Sequence, residues 1–336
     1  MIITVLGNGS IGRRHLKGLL GLKSEIGISE LRGFDTNPAR RDQVRKEVPG
    51  VCCAESLEDA LAGADIVFLC VPTALHLPIY EQCKAHGNFH FFIEKPLSHS
   101  MVGCEKMLWE QRQVGKRTAV GYMLYFHPLL KRAQQLLSQG VIGRPLSVRA
   151  EAGFFLPNWH PWEDYRDCYM SWKMGGGGAL LDISHEIDYL QDLFGDIEDV
   201  RGWLGTVSDL EISSDDLAVA MFKFKSGLVG QLQLDLLQPE ESRFCKVIGT
   251  KGVLIFDLTD NSIRYNTTDD VEWVTESLEV NIDMIYADEY RGTISALMGG
   301  GQSYVSGERG YKTMQVVEAI RRSSSYGVKV TLPLYD

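Results

Sequence analysis

Lys95 is the residue whose context most strongly suggests chemistry on a ligand. It follows an apolar run and precedes a proline, within Ile93-Glu94-Lys95-Pro96. At the mouth of a buried strand its ammonium group would be partly desolvated and could donate a hydrogen bond to a substrate oxygen. A surface ion pair with Glu94 is the competing interpretation. The position of Lys95 at a strand end favours the ligand-facing role.

An acid–base group is predicted just after the four glycines Gly175–Gly178. Asp182, His185 and Asp188 recur every three residues, which predicts that they line one face of a single helix over Ala179–Phe194. A carboxylate one turn from an imidazole can fix its tautomer and stabilise its protonated form. His185 with Asp182 therefore fits a general base that accepts a hydroxyl proton. Metal binding by this triplet is a weaker alternative, because no second ligand cluster is evident, and a structural polar face competes mainly for Asp188.

The N-terminal segment carries a turn suited to a phosphate group. Gly7-Asn8-Gly9-Ser10-Ile11-Gly12 has the GxGxxG spacing directly after the predicted strand Ile2–Leu6 and before a predicted helix. Its glycines permit a tight turn, a close approach of the backbone to a pyrophosphate, and close packing of helix on strand. The helix N-terminus adds unpaired N–H groups and a positive partial charge. A tight turn without a ligand is the alternative.

Asp35, at the end of the next predicted strand, favours the dinucleotide interpretation. Its carboxylate would accept hydrogen bonds from the adenosine ribose and would repel a phosphate there, which favours NAD over NADP. Arg40 and Arg41 lie nearby in the sequence and keep NADP as an alternative, although a solvated helix face is the simpler account of both. The predicted cofactor contacts are Gly7, Gly9, Ser10, Ile11, Gly12, Asp35, Pro72, Thr73, His76, Glu94 and Lys95.

Aromatic, charged and amide groups are concentrated over Phe154–Arg166. Such a mixture suits a polyol, whose C–H faces stack on rings and whose hydroxyls need polar partners. A loop that packs over an interface explains the segment equally well. The predicted substrate contacts are Lys95, Tyr122, Trp162, Arg166, Asp182 and His185.

Two kinds of hydrophobic pattern divide the chain. Up to residue 121, short apolar runs alternate with amphipathic stretches, which predicts an α/β Rossmann domain with a doubly wound parallel sheet. From residue 122, alternating strands predict an α+β domain with a large, open-faced, mostly antiparallel sheet, whose C-terminal segment can pack back on the first domain. The strands predicted there are Leu146–Glu151, Ala218–Phe224, Val229–Leu236 and Val253–Phe256, and a closing helix is predicted over Val305–Ser325.

Composition narrows the cellular setting. The 336 residues are 44% hydrophobic and carry a formal charge of −10, which argues against a nucleic acid held mainly by phosphate contacts. The seven cysteines form no CxxC pair, so reduced thiols are expected. We find neither a run long enough to span a bilayer nor a signal-peptide pattern. A cytoplasmic protein is therefore expected.

The sequence resembles the Gfo/Idh/MocA family, named for glucose-fructose oxidoreductase and inositol dehydrogenase. The resemblance implies hydride transfer at a sugar or cyclitol carbon, with Lys95 activating the hydroxyl, His185 as the acid/base and Asp182 as the motif aspartate. It also implies sheet faces that pair into dimers or tetramers. The family usually places three residues between the aspartate and the histidine, whereas two intervene here, so Glu186 competes for the position of the base. The segments that carry the resemblance are Gly7–Gly12, Val71-Pro72-Thr73 with His76, Glu94-Lys95-Pro96, the glycine run before Asp182, and Ser306-Gly307-Glu308 with Ser323-Ser324.

These observations predict an NAD(P)-dependent oxidoreductase that acts on a secondary alcohol or ketone of a sugar, amino sugar, nucleotide sugar or cyclitol. Two alternatives stay open: a non-sugar reductase of the imine, biliverdin or dihydrodiol type, and a dinucleotide-sensing regulator without turnover. The presence of both Lys95 and His185 counts against the regulator. The expected partners are a carbohydrate-like small molecule and further copies of the chain, with no nucleic acid, membrane or metal.

Overall fold

The computed structural model describes residues 1–159, 164–301 and 304–334. The chain divides into two compact units. The first comprises Met1–Met123 and Ile282–Tyr311, and the second comprises Leu124–Asn281 and Lys312–Asp336. Each unit is described by itself below.

The helices and strands of the described residues are numbered along the chain. The strands are β1 (Ile2–Leu6), β2 (Glu30–Phe34), β3 (Cys52–Cys53), β4 (Ile66–Leu69), β5 (His90–Glu94), β6 (Thr118–Gly121), β7 (Pro145–Phe155), β8 (Ile197–Gly205), β9 (Leu217–Phe224), β10 (Val229–Asp235), β11 (Leu237–Gly249), β12 (Gly252–Asp257), β13 (Ser262–Thr267), β14 (Val274–Ser277) and β15 (Val330–Thr331). The helices are α1 (Ser10–Gly21), α2 (Pro38–Glu47), α3 (Leu57–Leu61), α4 (His76–Lys84), α5 (Cys104–Gln113), α6 (Pro128–Ser138), α7 (Leu156–Trp159), α8 (Ala179–Asp182), α9 (His185–Phe194), α10 (Ile282–Leu297) and α11 (Gly307–Tyr326).

The first unit contains a parallel sheet, in which the described residues form six strands in the order β3-β2-β1-β4-β5-β6. This is the order of a doubly wound dinucleotide-binding sheet, in which the chain reverses direction beside its first strand. Every residue of β4 is buried, as expected for a central strand covered on both faces. The predicted fold class of this unit is confirmed.

Helix α10 belongs to this first unit although it follows the strands of the second along the chain. Its Tyr290, Ile294 and Leu297 join the same buried cluster as Ile3 of β1 and Leu16 of α1. The sequence analysis did not predict this helix. Its buried positions include a glutamate, a glycine and a threonine, so hydrophobic periodicity does not mark its inner face.

The second unit contains a mixed sheet, for which the described residues supply nine strands in the order β14-β13-β12-β11-β7-β10-β9-β8-β15. The pairing of β7 with β10 is parallel, and the other pairings are antiparallel. Burial alternates strictly along β9, so one face is covered and Val219 and Met221 project from the other, exposed face. The predicted open-faced, mostly antiparallel sheet is therefore confirmed.

A bilayer-spanning helix is not found among the residues that the structure describes.

Candidate active site

The turn after β1 has the geometry of a pyrophosphate cradle. Gly7 has a φ of +90°, and its N–H donates to the Phe34 carbonyl oxygen at 2.9 Å. A side chain at Gly7 would collide with the Cys70 carbonyl, and one at Gly12 would collide with the Gly7 carbonyl. At Gly9, by contrast, an added Cβ would meet no described atom within 4 Å. The open side of this turn therefore fits a ligand phosphate at the N-terminus of α1.

Asp35 connects the turns that follow β1 and β2. Its Oδ2 accepts a hydrogen bond from the Asn8 N–H, and its Oδ1 accepts one from the Asn37 N–H, both at 2.8 Å. A carboxylate has about four acceptor positions, so capacity remains for ribose hydroxyls. Arg41 donates to the Asp35 carbonyl oxygen at 2.7 Å, whereas Arg40 is half-exposed with its Nη1 3.6 Å from Asp35 Oδ2.

His76 ties together the loops that follow β4 and β5. It begins α4 and is buried, with Nε2 3.0 Å from the Val71 carbonyl oxygen and Nδ1 3.0 Å from the Pro96 carbonyl oxygen. Burial lowers the pKa of this imidazole. Thr73, in the short 3₁₀ turn before it, is also buried. The side chain of His76 therefore contacts the backbone of both loops.

Glu94 is held by a histidine of α1 and by the backbone N–H of its neighbour in the sequence. Its Oε1 lies 2.6 Å from Nε2 of His15, and its Oε2 accepts from the Lys95 N–H at 3.1 Å. The Lys95–Pro96 peptide bond is cis. His15 is not among the residues predicted from the sequence, although its position three residues after Gly12 places it on the buried face of α1.

The predicted groups of this unit share one edge of the parallel sheet. Gly7, Cys70 and Glu94 stand at the carboxyl ends of β1, β4 and β5, and Tyr122 directly follows β6, where its side chain is fully buried. Ligands of doubly wound sheets bind outside these strand ends.

In the second unit, the predicted single helix over Ala179–Phe194 is wrong. The structure has two helices, α8 and α9, separated at Ile183, where the backbone leaves helical geometry (φ −104°, ψ 28°). Asp182 and His185 therefore do not share one face of a continuous helix. Asp182 accepts a hydrogen bond at 2.9 Å from the N–H of Gly178, which precedes α8.

Asp182 and the glycine turn are fixed by two residues that the sequence analysis did not single out. The Tyr169 hydroxyl donates to Asp182 Oδ1 at 2.9 Å. Asp215 Oδ2 accepts from the Leu180 N–H at 2.8 Å, and its carboxyl group occupies the space that a side chain at Gly178 would need. Burial raises the pKa of Asp215. His185 begins α9 and is partly buried.

Arg166 lies on the surface between two carboxylates. Its guanidinium donates to Asp164 and, at 2.6 Å, to Glu211. The hydrogen bonds that Arg166 donates to Asp164 lower the pKa of that carboxyl group to about 2. Trp162, another predicted substrate contact, lies outside the described residues. No group of three His, Cys, Asp or Glu side chains within the described ranges could hold a metal ion.

Two family models match the chain. Residues 1–122 match the oxidoreductase family with an NAD-binding Rossmann fold, and residues 130–255 match the GFO/IDH/MocA C-terminal domain. The chain belongs to the Gfo/Idh/MocA family. The predicted resemblance and the NAD-binding Rossmann domain are thereby confirmed.

Proteins that are similar to this chain have names that denote different activities. The chain is 26% identical over 306 residues to 2,7-anhydro-N-acetylneuraminate hydratase of Escherichia coli. The matched region covers 86% of this chain and 77% of the relative. It is 26% identical over 340 residues to myo-inositol 2-dehydrogenase of Thermotoga maritima, with 96% of each chain covered. A solved structure of levoglucosan dehydrogenase with NADH and levoglucosan has a TM-score of 0.86 at 18% identity, over 99% of this chain and 100% of that one. At that identity the structural likeness concerns the fold.

Proposed function

We propose that this protein is an NAD-dependent dehydrogenase that transfers a hydride between the cofactor and a secondary alcohol or ketone of a sugar, amino sugar, nucleotide sugar or cyclitol. The main support for this proposal is that the open phosphate turn at Gly9 lies on the same edge of the sheet as Lys95. The family of the chain supports the reaction class. The names of the inositol and levoglucosan dehydrogenases support a polyol substrate.

The residues of the first unit would hold the cofactor and the substrate oxygen. The turn Gly7–Gly12 binds the pyrophosphate through backbone N–H groups, and the Asp35 carboxylate accepts hydrogen bonds from the ribose hydroxyls. NADP is an alternative cofactor, because Arg40 could bind a phosphate on that ribose. Pro72, Thr73 and His76 shape the loop beside the cofactor. When bound, the nicotinamide ring supplies the hydride acceptor. Lys95 donates a hydrogen bond to the substrate oxygen and stabilises the charge that develops there.

The residues of the second unit would move the proton. A ring nitrogen of His185 accepts the hydroxyl proton during oxidation, and it returns that proton during reduction. Asp182, held by Tyr169 and Gly178, orients the substrate. Tyr122, Trp162 and Arg166 are the remaining proposed substrate contacts.

The test is a kinetic screen of free and nucleotide-linked sugars and cyclitols with NAD⁺, followed at the absorbance of NADH. On the best substrate, Lys95→Met and His185→Asn are each expected to lower kcat/KM by about 10²–10⁴-fold. Lys106→Met and His86→Asn replace the same residue types at exposed positions and should leave it unchanged. Near wild-type kcat/KM in either site variant would contradict the mechanism.

A hydratase is the second candidate, because the Escherichia coli relative bears that name. A hydratase reaction changes the substrate by one water without net accumulation of NADH. Mass analysis of the product separates the two candidates, since oxidation removes two hydrogens and hydration adds water.

We also propose that the exposed sheet face, which includes Trp203, Val219 and Met221, joins copies of the chain into a homodimer or homotetramer. Light scattering on the wild type and on Met221→Lys tests this, since a buried lysine at the interface should shift the mass toward the monomer.

A further inference from the structure

A buried cluster of polar side chains lies at the carboxyl end of β5, and the proposed function uses only part of it. At its centre is His15 of α1, which is fully buried. Its Nε2 is 2.6 Å from Glu94 Oε1, and its Nδ1 is 3.0 Å from the hydroxyl oxygen of Tyr290 on α10. Because Glu94 Oε2 also accepts from the Lys95 N–H at 3.1 Å, each oxygen of this carboxylate has a donor.

The hydrogen-bond pattern assigns the tautomer of His15. A carboxylate oxygen only accepts, so Nε2 carries the proton that is donated to Glu94. In the neutral imidazole, Nδ1 then accepts from the Tyr290 hydroxyl. The rings of Phe92 and Phe68 enclose the imidazole, with centroids 5.2 and 5.6 Å away. The packing thus keeps His15 in the orientation that holds Glu94.

Glu289 of α10 belongs to the same cluster, close enough to Glu94 for the two carboxyl groups to interact. It is 1% exposed, and neither of its carboxyl oxygens has a hydrogen-bond partner in the part of the chain that the structure describes. Burial, reinforced by the charge of Glu94, raises the pKa of Glu289 well above its usual value. Burial therefore favours the neutral form of Glu289.

The position of Glu94 in the sheet relates this charge to the cofactor. A dinucleotide lies across the strand ends of a doubly wound sheet, with one half on each side of the first strand. Because Asp35 ends β2 on the adenosine side, the nicotinamide half is expected over β4, β5 and β6. The nicotinamide ring of NAD⁺ carries a positive charge that NADH lacks, so a fixed carboxylate at the end of β5 interacts more favourably with NAD⁺.

We infer that Glu94, positioned by His15 and Tyr290, makes the site discriminate between the oxidised and the reduced cofactor in favour of NAD⁺. This inference rests on the cofactor of the proposed function and is independent of the substrate. In this arrangement His15 and Tyr290 are positioning residues that act through Glu94. A site with this preference binds NAD⁺ and releases NADH, as repeated oxidation of an alcohol requires.

The test measures the dissociation constants of NAD⁺ and NADH by calorimetry on the full chain at neutral pH, without substrate. Glu94→Gln keeps the shape and removes the charge, and it should raise the ratio of Kd for NAD⁺ to Kd for NADH by about tenfold. His15→Leu removes the donor to Glu94 and should raise that ratio about threefold. His15→Gln, whose amide can reach Glu94, should keep the ratio close to its wild-type value. Glu289→Gln imposes the neutral form that burial already favours and is the matched control with an unchanged ratio.

A merely structural role would weaken the binding of both cofactors equally, and an unchanged ratio in Glu94→Gln would overturn the inference. The double variant with His15→Leu and Glu94→Gln should match Glu94→Gln alone, and additive effects on the ratio would overturn the positioning role. If thermal unfolding shows that His15→Leu does not fold, Tyr290→Phe tests the positioning of Glu94 through His15. This variant should raise the ratio of Kd for NAD⁺ to Kd for NADH about twofold, and an unchanged ratio would contradict the positioning role.

The proposed function and this inference can fail separately. If the wild-type protein binds neither NAD⁺ nor NADH, both the proposed function and the inference are refuted. Protein that binds NAD⁺ and NADH with a ratio that Glu94→Gln leaves unmoved would remove only the inference. A shifted ratio without turnover on any compound in the screen would support the inference and count against the proposed substrate class.

Discussion

Glu289 lies almost fully inside the first unit, and its protonation should make stability depend on pH. Burial raises its pKa well above the usual value, so the folded protein retains a proton that the unfolded chain releases above about pH 4.3. The stabilising contribution is fully present below that pH and is lost as the pH rises toward the folded pKa.

Glu289→Gln has no proton to lose at this position. As the pH rises from about 5 toward the folded pKa of Glu289, the free energy of unfolding of this variant should therefore rise relative to the wild type by up to about 1.4 kcal/mol per pH unit. Urea unfolding at several pH values measures this difference. Glu272→Gln, at an exposed position, should show no such trend, and parallel pH profiles of Glu289→Gln and the wild type would refute the assignment.

At the scale of elements, the one-turn helix α8 depends on a carboxyl group from outside it. Asp215 accepts from the Leu180 N–H and packs against Gly178. The φ of +118° at Gly178 also requires glycine. A helix of four residues has too few internal hydrogen bonds to persist without such a contact. The position of Asp182, its last residue, therefore depends on Asp215.

Asp215→Ala should lower the free energy of unfolding by about 2 kcal/mol, because it leaves a buried N–H without an acceptor. Asp215→Asn keeps one acceptor oxygen and should lose less than about 1 kcal/mol. Guanidinium unfolding of both variants provides the comparison. Asp209→Ala, at an exposed position, is the control, and equal losses in the Ala and Asn variants would argue against the hydrogen bond as the cause.

At the scale of the whole molecule, cofactor binding should appear as thermal stabilisation. NAD⁺ at about 100 times its Kd adds about 2.7 kcal/mol to the folded state, which predicts a rise in Tm of about 5 °C for a chain of this size. Gly9→Val tests the site of binding. Gly9 has an ordinary φ of −65° and open space beside it, so the variant should fold with an unchanged Tm.

The valine of that variant fills the space proposed for the pyrophosphate. Scanning fluorimetry should therefore show the rise in Tm with NAD⁺ for the wild type and none for Gly9→Val. A full shift in Gly9→Val would place the cofactor elsewhere.

The amino-acid sequence by itself determined the features that depend on neighbours along the chain. The phosphate turn Gly7–Gly12, the apolar strands and the placement of Asp35 and Lys95 at strand ends are local patterns, and a parallel sheet brings strand ends to one edge whatever their separation. The alternation along β9 predicted the open face for the same reason.

Only the tertiary structure decided which distant groups meet. His15 contacts Glu94 across 79 residues and Tyr290 across 275, and Asp215 accepts from the Leu180 N–H across 35 residues. None of these contacts leaves a periodic trace in the sequence. Each exists because a buried polar atom must find a partner among whatever groups the fold brings near it.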